Sequence, residues 1–206
     1  MTQTNKHRHN SNPQLVRNCS QLPKGDVSSI PLTAATTAEI TAVVDKVCEY
    51  VRERYTWYYP FAELQHLTGC RVSEAFNLRL WRIDDAGCYT LQPNKGNNIR
   101  HFPPEWTDQI EALRVWASTW SSQYVSESNY RRIIRYAFRR FGLVHYSPGG
   151  FALSGCHTFR HAYVKRALEY EPTWEELLYD TGEKTRKALS QYVDSQFYIL
   201  NTNPKN

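Results

Sequence analysis

No stretch of this sequence approaches the ~20 consecutive apolar residues of a membrane-spanning helix, and its polar first 30 residues lack the apolar centre of a signal peptide. Cysteine is sparse and unpaired. Cys19, Cys48, Cys70, Cys88 and Cys156 are an odd set, widely scattered, with no C-x-x-C pair. That excludes a zinc knuckle and a disulfide framework and fits a reducing compartment. A cytoplasmic protein is the expectation. A metal-ligand pattern is also missing. His157 and His161 stand four apart, but no Glu follows His157 as in H-E-x-x-H and no third ligand is evident, so no metal is expected. There is no internal repeat, and acidic residues are absent from Tyr130 to Phe141.

What is present is basic and aromatic. The 206 residues carry a net charge of +5 with six Trp and fourteen Tyr. The length suits one domain, or one with a small appendage, with a core built from large rings. The charge favours a polyanionic partner. Residues 1–30, rich in Asn, Ser, Gln and Thr with Lys6, His7, Arg8 and His9, read as a disordered polar, basic arm.

Order begins near Pro31. Thr36 or Thr37 can cap a helix with Glu39 in its first turn, and Ile40, Val43, Val44, Val47 and Val51 keep helical spacing behind it. Pro60 suits the first turn of a second helix, which Thr68-Gly69 ends, and Val72 to Leu80 reads as a third. The period then changes. Asp84-Asp85-Ala86-Gly87 and Lys95-Gly96-Asn97-Asn98 are turn sequences, predicting a small antiparallel sheet over about 81–103. Pro103-Pro104 stops it, and Glu105 to Trp120 looks helical again. In the amphipathic segment Tyr130–Phe141, Tyr130, Ile133, Ile134, Ala137, Phe138 and Phe141 share one arc; Arg131, Arg132, Arg135, Arg139 and Arg140 share the rest. A solvated face usually mixes signs, so these arginines are candidates for phosphate contact. Pro148-Gly149-Gly150 is a loop, and helices follow at about 157–169, 173–180 and 184–193. The fold class expected is mainly α with a small antiparallel β-sheet.

Chemistry gathers in four places. In Thr68-Gly69-Cys70-Arg71-Val72-Ser73-Glu74, Arg71 stands at a helix N-terminus, where dipole and N–H groups also favour phosphate, and Glu74 can hold its guanidinium. Lys95 sits at a hairpin tip; it could protonate a leaving oxygen if the hairpin reaches a nucleic-acid groove. His157 and Arg160, three apart, share a helix face offering a proton-transfer group and a fixed cation to one phosphate. Tyr192 could attack that phosphate as a covalent nucleophile. Singly, each has a plainer reading: Arg71 as a surface ion-pair partner, Lys95 as a solvated tip, His157 as a capping or core histidine, Tyr192 as one buried ring among many.

Together, in this order, Thr68-Gly69-x-Arg71-x-Ser73-Glu74, Lys95-Gly96-Asn97-x-x-Arg100-x-x-Pro103, His157-x-x-Arg160-His161 and Gly182…Tyr192 resemble the tyrosine recombinases, the phage-integrase family. The match spans about residues 35–195. It implies that family's catalytic-domain fold over 31–195, in a chain similar in size to the small fimbrial-switch recombinases. It implies site-specific recombination of double-stranded DNA by integration, inversion or resolution, within a homotetramer and with accessory DNA-bending proteins as further partners. Arg71 and Arg160 would clamp the scissile phosphate and His157 would assist proton transfer. Lys95 would protonate the leaving 5′-hydroxyl, and Tyr192 would form a 3′-phosphotyrosyl link. Arg100 and the five arginines of 131–140 would bind DNA. Residues 196–206, with Phe197, Tyr198, Ile199 and Leu200, would be a C-terminal tail that either folds back on its own domain or docks on a neighbouring subunit.

The sequence departs from the family at Glu183. The family usually has His or Trp after the glycine that lies ten positions before the tyrosine; here Glu183 follows Gly182. A carboxylate about 4 Å from a phosphate is repelled by roughly 4 kcal/mol at an effective dielectric near 20. Glu183 should therefore be protonated, turned away or part of an impaired site, with Lys184 as a substitute. Two other readings stand beside the recombinase: a catalytically impaired DNA-binding regulator of the same fold, and a type IB topoisomerase-like relaxer.

Overall fold

A computed structural model describes residues 32–93, 97–119, 125–147, 150–153 and 155–200. The N-terminal arm, the turn at 94–96 and residues 201–206 lie outside it. Strand β1 (Leu32–Ala34) leads into helix α1 (Thr37–Arg54). As expected, Thr36 and Glu39 cap that helix reciprocally: Glu39 Oε2 accepts from the Thr36 amide at 2.8 Å, and Thr36 Oγ1 accepts from the Glu39 amide at 3.3 Å. The inward face of α1, Ile40, Val43, Val44, Val47, Cys48 and Val51, is buried. Each large apolar side chain there contributes about 1.5–3 kcal/mol.

Helix α2 (Tyr59–Thr68) carries Pro60 in its first turn and ends at Gly69, whose φ of 61° only glycine adopts freely. A Cβ at Gly69 would lie 2.6 Å from Tyr163 Cγ, so the missing side chain also lets a later helix approach. The segment 72–80 is not one helix. Helix α3 (Val72–Phe76) stops where Asn77 leaves helical geometry (φ −100°, ψ 80°), and a 3₁₀ turn follows at Leu78–Leu80. The expected sheet is present: β2 (Trp81–Ile83), β3 (Tyr89–Leu91) and β4 (Arg100–His101) pair antiparallel, with Trp81 opposite Leu91 and Leu91 opposite Arg100. Its first turn is built by Asp84, whose Oδ1 accepts from the amides of Ala86 and Cys88.

A 3₁₀ turn at Pro104–Trp106 opens into α4 (Thr107–Ser118). Helix α5 (Glu127–Arg140) begins one turn before the expected amphipathic segment, with Ser126 as its N-cap. Tyr130, Ile134, Ala137 and Phe138 are buried, so the inward arc read from the sequence is the inward arc of the fold. Helices α6 (Cys156–Leu168), α7 (Trp174–Thr181) and α8 (Arg186–Val193) complete the helical part.

A second sheet was not expected. Strands β5 (Leu143–Ser147), β6 (Gly150–Leu153) and β7 (Gln196–Leu200) join β1 in the antiparallel order β1–β7–β5–β6. Gly150, read as loop, opens β6; Pro148 and Gly149 lie outside the described residues. Residues 196–200, read as part of a tail, form an inner strand of this sheet: Ile199 stands opposite both Thr33 and Leu143 within the same chain. Phe197, 3% exposed, anchors the strand against His145 and His161.

The position of β7 predicts what its loss does. Deleting residues 196–206 leaves both β1 and β5 with an unpaired edge and uncovers the Phe197 site. The truncated chain is expected to lose its cooperative thermal transition and to aggregate. Phe197→Ala should cost about 3–5 kcal/mol in urea unfolding. A soluble truncation melting cooperatively near the full chain would contradict this placement.

Candidate active site

Two separate parts of the chain meet at one buried carboxylate supplied by a third. Arg71 is the residue from which α3 starts. Glu74, one turn on, accepts from the Arg71 amide at 2.7 Å and from its Nη1 at 3.1 Å, so the local sequence both caps the helix and aims the guanidinium. Arg160 lies on the inner face of α6, 1% exposed. Its Nη1 donates to the Gly69 carbonyl at 2.9 Å and its Nη2 to the Thr181 carbonyl at 2.5 Å. Glu183 follows Gly182, where φ is 70°, in the link between α7 and α8. One oxygen of Glu183 accepts from both cations: from Arg71 Nη2 at 2.5 Å and from Arg160 Nη2 at 2.8 Å.

The sequence left Glu183 protonated, turned away or marking an impaired site. The structure turns it inward, 4% exposed, onto the two arginines. Repulsion would act between Glu183 and an incoming phosphate; without one, the guanidinium pair is its neighbour and attraction decides. Burial disfavours the Arg71 charge, but Glu74 and Glu183 outweigh it and hold its pKa above the ordinary arginine value. Lys184, considered as a substitute, is exposed.

Tyr192 lies in the last turns of α8, 4% exposed, with the Arg160 guanidinium over its ring at 5.2 Å and the His161 ring at 4.8 Å. Its hydroxyl makes no hydrogen bond to a described residue, and the phenol is near enough to favour the charge of Arg71. The C-terminal end of α8 is pinned: Ser195 Oγ donates to the Tyr192 carbonyl and Lys165 Nζ to that of Val193, each at 2.7 Å. His157 lies exposed in the first turn of α6, between the buried Cys156 and Thr158. Desolvation, then the charges of Arg131, Arg160 and Arg71, hold its pKa below the ordinary histidine value. His157 is therefore a neutral proton acceptor near neutral pH. Arg71, His157, Arg160 and Tyr192 thus converge on one region, while Lys95 lies outside the described residues.

Of the arginines assigned to DNA, Arg132 and Arg135 are exposed on α5. Arg131 pairs with Glu127, Arg139 is partly buried and Arg140 lies over the Tyr50 ring at 5.7 Å. The structure places Arg100 in the interior, 3% exposed. Its Nε donates to the Asp180 carbonyl at 2.6 Å, its Nη2 donates to the Thr68 carbonyl, and the guanidinium lies over the Phe102 ring at 5.0 Å. That geometry ties the small sheet to α2 and α7. Gly182 belongs to the same joint, since a Cβ there would meet Arg100 Cγ at 2.8 Å and the Asn98 carbonyl oxygen at 2.9 Å.

Two supporting residues went unread. With its amide oriented to accept, Asn97 takes hydrogen bonds from Arg71 Nη1 and Nη2 at 2.7 and 2.9 Å. Gln65, 1% exposed, donates to the carbonyls of Cys70 and Cys156 and accepts from the Tyr130 hydroxyl at 2.7 Å. It fixes the Arg71 turn against α6 and α5. A polar residue on the apolar face of α2 is the one signal the sequence carried. His161, four from His157, packs among His145, Tyr192 and Phe197, and no group of three metal-ligating side chains occurs among the described residues.

No family model matches the chain, and no curated protein matches it. Among solved structures it is similar to the XerH site-specific recombinase bound to palindromic difH substrate in a post-cleavage complex. The TM-score is 0.55 and the identity 14%, over 84% of this chain and 52% of that one. The chain therefore spans about half the length of that protein. The likeness establishes a fold shared with that part of the recombinase, mainly helical with small antiparallel sheets.

The buried histidines predict an acid response. Burial, then the charges of His145, His157, Lys165 and Arg160, lowers His161 to about 3; burial and Arg166, opposed by Asp45, lower His66 to about 4. Below pH ~6.5 the unfolded chain binds protons that the folded chain refuses, so stability present above that pH is lost as pH falls toward 4. Each histidine contributes a slope of up to about 1.4 kcal/mol per pH unit. His161→Phe, which keeps a ring against Tyr192, should flatten the loss by about one such slope in urea unfolding at several pH values. An unchanged slope would show that His161 is not held neutral.

Proposed function

We propose that the chain is a site-specific DNA recombinase that cleaves and rejoins strands through a 3′-phosphotyrosyl intermediate. The observation that carries this is the convergence of Arg71, Arg160, a neutral His157 and Tyr192 from two helices and the turn that opens a third. Support comes also from the fold shared with a recombinase solved on its DNA substrate. The residue types suit phosphoryl transfer, which needs charge neutralisation and positioning more than elaborate covalent chemistry.

In the forward step the Tyr192 oxygen bonds to the scissile phosphorus and the bond to the 5′-oxygen breaks. The phenolic proton passes to the neutral imidazole of His157, which its low pKa leaves free to accept. The departing 5′-oxygen takes a proton from Lys95, the role the family resemblance implies. Arg71 and Arg160 hold the non-bridging oxygens. A 5′-hydroxyl from a partner strand reverses the step; the phosphotyrosyl ester conserves the bond energy, so no external energy source or cofactor enters. Partner strands require more than one subunit on double-stranded DNA. Glu183 favours a second reading, a DNA-binding regulator of the same fold, because it neutralises the arginine pair.

Two measurements test the assignment. On a nicked duplex that traps the cleaved state, wild type should yield protein-linked DNA, while Tyr192→Phe should bind equally and yield none. A Phe variant that still forms the adduct removes Tyr192 from the role; wild type that binds without any adduct favours the regulator. Arg132→Ala with Arg135→Ala should weaken binding to all sequences alike and reduce the slope of log affinity against log salt by about 0.9 per lost contact. An unchanged slope would return that face of α5 to solvent.

A further inference from the structure

The arginine pair is already occupied. Arg160 is almost wholly buried, and the hydrogen bonds it makes go to the carbonyls of Gly69 and Thr181 and to the Glu183 carboxylate. Arg71 is engaged by Glu74, Asn97 and the same oxygen of Glu183. The two carboxylates play different parts. Glu74 caps α3 and touches Arg71, so it belongs to that helix start. Glu183 alone bridges both guanidiniums, presenting one anionic oxygen to two cations, as a non-bridging phosphate oxygen would. Among the groups in direct contact, two arginines and two carboxylates sum to zero, so their positive charge is already matched before any phosphodiester arrives.

We propose that Glu183 is a built-in occupant of the phosphate position, which a phosphodiester must displace before the arginine pair can hold it. The proposal rests on the phosphate-clamp reading of Arg71 and Arg160. The way out is short. Glu183 lies in the non-helical link between Thr181 and Arg186, directly after the left-handed Gly182, and the next two residues, Lys184 and Thr185, are exposed. Rotation of the Glu183 side chain, with the Gly182 joint left in place, would carry the carboxylate outward without unwinding α7 or α8. The same carboxylate holds the two guanidiniums in place while DNA is absent, so the site is preformed but closed.

The test reads anion binding separately from strand cleavage. Inorganic phosphate and orthovanadate are titrated against wild type, Glu183→Gln and Glu183→His, with the thermal transition as readout. Both variants are expected to bind the anion at least about tenfold tighter than wild type, the direction set by removing a like charge from the site. Asp180→Asn removes an acid that touches neither Arg71 nor Arg160 and should leave anion affinity unchanged. Equal or weaker binding by both variants overturns the proposal, as does an equal gain in Asp180→Asn. Wild type with orthovanadate, solved by crystallography, gives a reading that needs no variant. Glu183 turned out with vanadate between the guanidiniums supports displacement; vanadate on both arginines with the carboxylate still bridging them refutes it. Tighter anion binding without any DNA adduct would keep this inference and remove the recombinase reading.

Discussion

The buried guanidinium of Arg160 is the constraint that orders this molecule. A cation taken out of water costs several kcal/mol unless a counter-charge and hydrogen-bond acceptors meet it. Here those partners come from distant parts of the chain: the Gly69 carbonyl after α2, the Thr181 carbonyl at the end of α7, and Glu183 beyond it. Both turns that deliver them rest on a left-handed glycine packed too closely for a side chain, Gly69 against Tyr163 and Gly182 against Arg100. Arg100 repeats the device nearby, holding the Thr68 and Asp180 carbonyls and so the same two turns. The arginines thus brace the fold at the place where the chemistry is proposed.

This double use explains what the sequence could and could not reveal. Local signals read well. The Thr36–Glu39 cap, the inward arc of α5, the turn at Asp84 and the Arg71–Glu74 contact each depend on residues within one or two turns of each other. The four-stranded sheet did not read, because its inner strand β7 pairs with Leu32–Ala34, more than 160 positions earlier, and with Leu143–Ser147. Neither of these short strands carries a turn signal that names its partner. Arg100, given to DNA through the family resemblance, fills the interior instead, which only the packing of α7 over the sheet shows.

Glu183 is the instructive case. Its identity was visible, and so was its distance from Tyr192. Its direction followed from two arginines that the sequence had assigned to an absent phosphate. In the free chain those arginines need an anion, and the nearest side chain supplies it. His157 shows the complementary effect: desolvation, then Arg131 and the same two cations, disfavour its charged imidazole. One cluster of charge therefore sets an acid inward, a base neutral and a tyrosine ring beneath a guanidinium.

If Arg160 and Glu183 form one electrostatic unit, their contributions to stability must be coupled. A double-mutant cycle in urea, using Arg160→Met, Glu183→Leu and the double variant, measures this directly. Each single change should cost about 3–5 kcal/mol by stranding a buried charge, and the double variant should cost far less than the sum. Costs that add to within about 0.5 kcal/mol would contradict the account, since the two groups would then stand independently.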